Sequence, residues 1–160
     1  MNIRVMSVND YEEVYDLWIN TPGMGLNTID DSREGVEKYL NRNPNTCFVA
    51  ENDGWIVGVI MAGHDGRRGF IYHTAVDLQY RNQGIGKELV EHVMSALEKE
   101  GIHKAALVAF SKNETGNIFW EKIGFTERRD LVYRNKNIHS LEKIETCYLP
   151  KDREKKNSHE

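Results

Sequence analysis

Residues 81 to 87, Arg-Asn-Gln-Gly-Ile-Gly-Lys, set two glycines and two cations between an extended run and an amphipathic one. The extended run is FIYHTAVD (residues 70–77); the amphipathic one is ELVEHVMSAL (residues 88–97). A segment of this kind suits an anion. The start of a helix exposes unpaired amides and the positive end of the helix dipole. A glycine there lets the backbone approach a phosphate that a Cβ would hold off. Arg81 and Lys87 add positive charge, and Arg81 is equally able to anchor the loop. The same spacing also occurs in plain turns. Two nucleotide loops are excluded directly. The fingerprint GxGxxG needs a glycine at 89, where Leu89 stands, and GxxxxGK[ST] needs a glycine at 81 and a hydroxyl at 88, where Arg81 and Glu88 stand.

Tyr72 and His73 lie on the extended run beside this segment. Neighbours on a regular strand point to opposite faces, so only one of the two is expected to meet a substrate. Histidine as a residue type suits a general base, and a lone strand histidine serves equally well as structure. Glu51 and His64 are weaker candidates. Six histidines without HExxH or a paired spacing indicate no metal site. Asp30-Asp31 reads as a helix cap and Glu12-Glu13 as a solvated first turn.

The elements that must position these residues form one domain. With 160 residues, 39% of them hydrophobic, the chain can bury a core of its own. The net charge of -4 argues against a nucleic-acid partner, and no apolar run is long enough to span a bilayer. MNIRVMSVNDYEEV lacks the apolar centre of a signal peptide. Cys47 and Cys147 form no CxxC pair and read as reduced thiols, so a cytoplasmic location is expected.

NIRVMSV (2–8) alternates as a strand, and NDYEEVYDLWIN (9–20) follows as a helix capped by Asn9 or Asp10. TPGMGLNTI (21–29) is a loop and DDSREGVEKYLNRN (30–43) a second helix. TCFVAEN and WIVGVIMAGH around Asp53-Gly54 predict a hairpin. FIYHTAVD extends it to three antiparallel strands. A helix runs from about residue 84 to 100 and stops at Gly101. KAALVAF (104–110) is a continuous apolar run, expected to be buried on both faces and parallel to FIYHTAVD. NETGNIFWEKIGF (113–125) starts as a helix and turns at Gly124. FTERR, LVYRN and IETCYL are expected as short late strands. Together these predict an α/β (α+β) fold with a mixed sheet flanked by helices.

VDLQYRNQGIGKELV resembles the acetyl-CoA-binding motif of the GCN5-related N-acetyltransferase (GNAT) family, [RQ]xxGx[GA], through Arg81, Asn82, Gln83, Gly84, Ile85 and Gly86. NETGNIFWEKIGF resembles a second family segment through Asn113, Gly116, Phe119, Glu121, Lys122, Gly124 and Phe125. GHDGRRGFIY is similar to small bacterial members of unassigned acceptor. The resemblance implies a V-splayed, mostly antiparallel sheet with acetyl-CoA as donor at its opening. It implies an N-acetyltransferase domain over residues 1–149 and leaves 150–160 as a charged tail, expected to be disordered. It places the pantetheine along backbone groups around Ala75, Val76 and Leu78. The pyrophosphate would lie on Gln83 to Lys87 with Arg81 and Asn82, and Asn113 beside the pantetheine or thioester.

One position departs from the family. Its usual tyrosine, the general acid toward the departing thiolate, is Trp120 here, and an indole N–H supplies no proton at useful pH. The thiolate then leaves unprotonated, or Tyr133 or Tyr72 serves in its place, or activity is weak. Trp120 itself reads as a wall against the cofactor arm or as core. The expected function is transfer of acetyl to a primary amine of a small molecule or a protein; the alternative is a CoA-binding regulatory module without catalysis. The acceptor is expected between NTPGMGLNTIDD and the chain's end. A homodimer through a late strand such as IETCYL is a further expectation.

Overall fold

The structure is a computed structural model, and it describes residues 1–148. The expected tail at 150–160, and the last residue of IETCYL, lie outside these. The chain runs β1 (Asn2–Val5), a 3-10 turn (Val8–Asp10), α1 (Tyr11–Ile19), β2 (Leu26–Asn27), α2 (Arg33–Arg42), β3 (Phe48–Asn52), β4 (Trp55–His64) and β5 (Gly69–Val76). A second 3-10 turn (Leu78–Tyr80) leads to α3 (Ile85–Lys99), β6 (Ala105–Leu107), α4 (Glu114–Lys122) and β7 (Lys143–Ile144). The five-stranded sheet has the order β1-β3-β4-β5-β6. Every pairing in it is antiparallel except β5 with β6, which is parallel. This is the expected mixed sheet, with the β3–β4 hairpin turning at Asp53-Gly54.

Strand alternation divides the core between two sides of the sheet. On one side Val14, Leu17 and Trp18 of α1 and Val36 and Leu40 of α2 pack against Val49, Val59 and Met61. On the other, Ile85, Leu89, Val90, Val93 and Leu97 of α3 pack against Ala50, Val57, Ile60 and Ile71. The α3 stripe is the apolar face seen in its sequence. Its end closes where Gly101 N donates to Glu98 O (3.0 Å) and Ile102 N to Leu97 O (3.0 Å).

Several expectations are corrected. KAALVAF contributes only Ala105–Leu107 to the sheet, at its edge, and Val108 and Phe110 are more than half exposed. A continuous apolar run marks a doubly buried strand only when strands flank it on both sides. FTERR and LVYRN form no strand; Leu131, Val132 and Tyr133 stay exposed. Of IETCYL and its lead-in, only Lys143 and Ile144 are extended, and they pair within the chain, against Asn27 and Leu26. Ser32, not Asp30-Asp31, caps α2, accepting from Gly35 N at 3.1 Å. Glu13 is engaged rather than solvated, accepting from Ile56 N at 3.0 Å.

Candidate active site

The parallel ladder between β5 and β6 pairs Gly69 with Ala105, Phe70 with Ala106 and Ile71 with Leu107, and then stops. Beyond Ile71, β5 continues for five residues with β4 alone beside it. The two parallel strands part there, which is the V-shaped opening. Asp77 N donates to Val57 O at 2.8 Å, so alternation turns the Ala75 amide toward β4 and the Val76 amide toward the opening. Val76 O accepts from Arg81 Nε at 3.2 Å. Arg81 therefore anchors the loop, the alternative its sequence left open. Leu78 lies past the strand, in the 3-10 turn.

The loop that follows takes left-handed backbone at Asn82 (φ 62°) and at Gly84 (φ 81°). Asparagine tolerates this region better than most side chains, and glycine bears no penalty there. Gly84 is the N-cap of α3, and its carbonyl takes the first intrahelical bond, from Glu88 N at 3.1 Å. The amides of Ile85, Gly86 and Lys87 precede that bond and so have no intrahelical acceptor. Gly86 has a second role. A Cβ there would stand 3.1 Å from Phe119 Cζ, so its absence lets α4 close on the first turn of α3. Among the described residues Lys87 reaches only Glu91, 3.9 Å away on the exposed face.

Asn113 caps α4, its Oδ1 accepting from Gly116 N at 3.0 Å. Trp120 is half-buried in an aromatic cluster, 5.0 Å from the Phe119 ring and 5.3 Å from Phe125. Phe125 N bonds Trp120 O at 2.9 Å and fixes the turn that ends α4.

Tyr72 and His73 are not on opposite faces. The β4–β5 register runs from Val59–Ala75 to Met61–Tyr72, so Ile60 faces both His73 and Thr74. This is a β-bulge. It carries His73 to φ 20° and returns its ring to the side occupied by α1 and α2. There His73 packs edge-on to Trp18 (5.0 Å), while Tyr72 meets Phe70 (4.8 Å) and Tyr39 of α2 (5.8 Å). The His73 and Tyr72 rings are 6.2 Å apart.

The His73 Nε2 sits 2.6 Å from Asp31 Oδ1. Both side chains are largely buried, at 15% and 5% exposure. Asp31 Oδ2 accepts from Asn27 N at 2.7 Å, and its carbonyl accepts from Tyr11 Oη at 2.7 Å. Asp31 is the residue that sequence reasoning missed. Its only local signal, an Asp-Asp pair before Ser32, suggested a cap, and its partner is 42 positions away. Burial, with Tyr133 and Asp30 nearby, pushes the Tyr72 phenol above its ordinary range. Tyr133 itself is 65% exposed. Glu51 is held by Arg4, and His64 faces Glu100 at the far end of the sheet. Among the described residues no cluster of three or more His, Cys, Asp or Glu could hold a metal, and no helix is long and apolar enough to cross a membrane. Cys47 and Cys147 are both free.

Residues 11–125 match the acetyltransferase (GNAT) family profile. The chain belongs to the GNAT acetyltransferase family. It is 32% identical over 138 residues to an acetyltransferase of Sodalis glossinidius, covering 86% of this chain and 96% of that protein. It is 33% identical over 132 residues to an acetyltransferase of Photorhabdus laumondii, covering 80% and 88%. In fold it is similar to the PaiA N-acetyltransferase of Thermoplasma acidophilum, solved with coenzyme A (TM-score 0.69, 20% identity, 78% of this chain and 89% of that one). As a member of this family, the acetyltransferase takes its acetyl group from acetyl-CoA.

Proposed function

We propose that this acetyltransferase moves the acetyl group to a primary amine, of a small molecule or a protein, by direct attack on the thioester. The observation that carries the reading is the end of the β5–β6 ladder at Ile71–Leu107, with the start of α3 beside it. The opening offers extended backbone to the amide-rich pantetheine arm at Val76, between Ala75, whose amide faces β4, and Leu78, which follows in the 3-10 turn. The first α3 amides, of Ile85, Gly86 and Lys87 after the N-cap Gly84, meet the pyrophosphate together with Asn82 and Gln83, on the loop that Arg81 anchors. Asn113 borders the pantetheine or thioester, with the amide nitrogen its cap leaves over, and Trp120 is a wall against the cofactor arm. The Val76 amide polarises the carbonyl oxygen as charge develops there.

Trp120 gives no proton, but the Tyr72 phenol stays protonated and can hand one to the departing thiolate. Tyr133, largely exposed, is the weaker donor. The likeness in fold to the PaiA N-acetyltransferase supports a nitrogen acceptor.

The test is direct. The protein is incubated with acetyl-CoA and a panel of amines: a polyamine, an aminoglycoside, and peptides presenting an α-amine or a lysine. Free thiol is followed by colour and product by mass. N-acetyl product forming one-to-one with thiol is expected. Tight CoA binding without product on any amine, or acetylation of hydroxyls instead, sinks the proposal.

A further inference from the structure

We propose that His73 is the base that takes the proton from the acceptor nitrogen, and that Asp31 is the residue that positions it. The inference rests on the amine-acetylation reading above. Three observations lead to it. The bulge at His73–Thr74 places His73 three residues before Val76 and on the same side of the sheet as the exposed Tyr72. Asp31 Oδ1 holds His73 Nε2 at 2.6 Å, and Asp31 is itself fixed by the amide of Asn27. No protein group bonds the other ring nitrogen, Nδ1, among the described residues.

The chemistry follows from the tautomer. A carboxylate accepting from Nε2–H leaves Nδ1 with its lone pair free, the arrangement that a second partner imposes on a catalytic imidazole. The nitrogen of the acceptor forms its bond to the thioester carbon as the carbon–sulfur bond breaks. The proton lost from nitrogen goes to Nδ1. The imidazolium formed is stabilised by Asp31, the thiolate takes its proton from the Tyr72 phenol, and the proton on Nδ1 returns to that phenolate through solvent, so amine and thioester become amide and thiol in balance. Asn27, which fixes Asp31, lies on β2 in the loop where the acceptor is expected.

His73→Gln, His73→Ala and Asp31→Asn are compared with wild type on the best amine of the panel, with CoA affinity measured alongside. His73→Gln should lower kcat by about 100-fold or more, within the usual range for a general base, with CoA affinity and amine KM nearly unchanged. Asp31→Asn should lower kcat in the same direction. In ¹⁵N-histidine spectra wild type should carry the proton on Nε2, and Asp31→Asn should lose that preference. Imidazole added to His73→Ala should restore part of kcat, which a merely structural histidine would not allow. A His73→Gln enzyme within threefold of wild-type kcat, or a proton found on Nδ1, overturns the proposal. Loss of CoA binding with kcat in these variants assigns the pair to structure and also overturns it. Wild type that acetylates no amine removes the reading beneath it, and the base with it.

Discussion

Gly86 shows how one missing carbon serves two neighbours. The place its Cβ would take lies 3.1 Å from Phe119 Cζ and 3.8 Å from Val76 Cγ2. Gly86→Ala should cost about 1–3 kcal/mol from overpacking, read by urea denaturation. Phe119→Leu in the same chain should recover part of that loss, a coupling that a double-mutant cycle detects. Gly84→Ala meets no atom within 4 Å, and its cost is the left-handed backbone alone, about 1–2 kcal/mol. An acidic substitution at Gly86 therefore mixes a packing defect with repulsion of phosphate. Lys87→Gln, exposed and, among the described residues, paired only with Glu91, is the cleaner probe and should weaken CoA binding in calorimetry, more at low salt. Trp120→Tyr restores the phenol that the family usually carries there; kcat, followed by thiol release, should be preserved or raised.

At the scale of elements, what the sequence made legible was periodicity. The α3 stripe, the Asp53-Gly54 hairpin and strands β1, β3, β4 and β5 are local patterns and appear where expected; β2, at Leu26–Asn27 inside the expected loop of residues 21–29, does not. What stayed hidden depends on contacts across the chain. The bulge at His73–Thr74 leaves no mark in FIYHTAVD, because an extra residue shows only against β4. Asp31 looks like any residue ahead of a helix until His73 is brought to it. KAALVAF carries the apolar content of a central strand although only β5 flanks it. The join of β1 to β3 was equally silent. There Arg4 donates to Asp10 (2.8 and 2.7 Å) and to Glu51 (2.9 Å). Burial opposes ionisation of Asp10, yet the Arg4 guanidinium and the Ser7 amide outweigh it and hold the carboxyl below its usual range. A carboxyl depressed on folding contributes stability above its unfolded value, about 3.9, and loses it as pH falls through the folded one. Thermal melts from pH 6 to pH 3 should show that loss in wild type, and a shallower one in Asp10→Asn from a lower starting Tm.

Across the whole molecule, the proposed donor and acceptor sides draw on different stretches of chain. β5, α3 and α4 surround the opening. The other face is completed by β2 and β7, with Thr28 N bonded to Glu142 O (3.0 Å) and Cys147 N to Ile19 O (3.1 Å). Ile144→Asp places a charge against the core cluster that Ile144 borders. It should raise the amine KM while leaving CoA affinity within about twofold, measured by steady-state kinetics and calorimetry. Hydrogen exchange should find the amides of Thr28 and Cys147 opening before those of β4, since two residue pairs hold that seam against a ten-residue strand.

The β2–β7 pairing also sets an order in time. Leu26 meets Ile144 only after nearly all of the described chain has been made, whereas every group assigned to the donor lies at or before Trp120. Long-range closure forms late because its entropy must be met before its contacts form. On the proposed site, a nascent chain thus carries every CoA-binding group before it has a finished place for the amine.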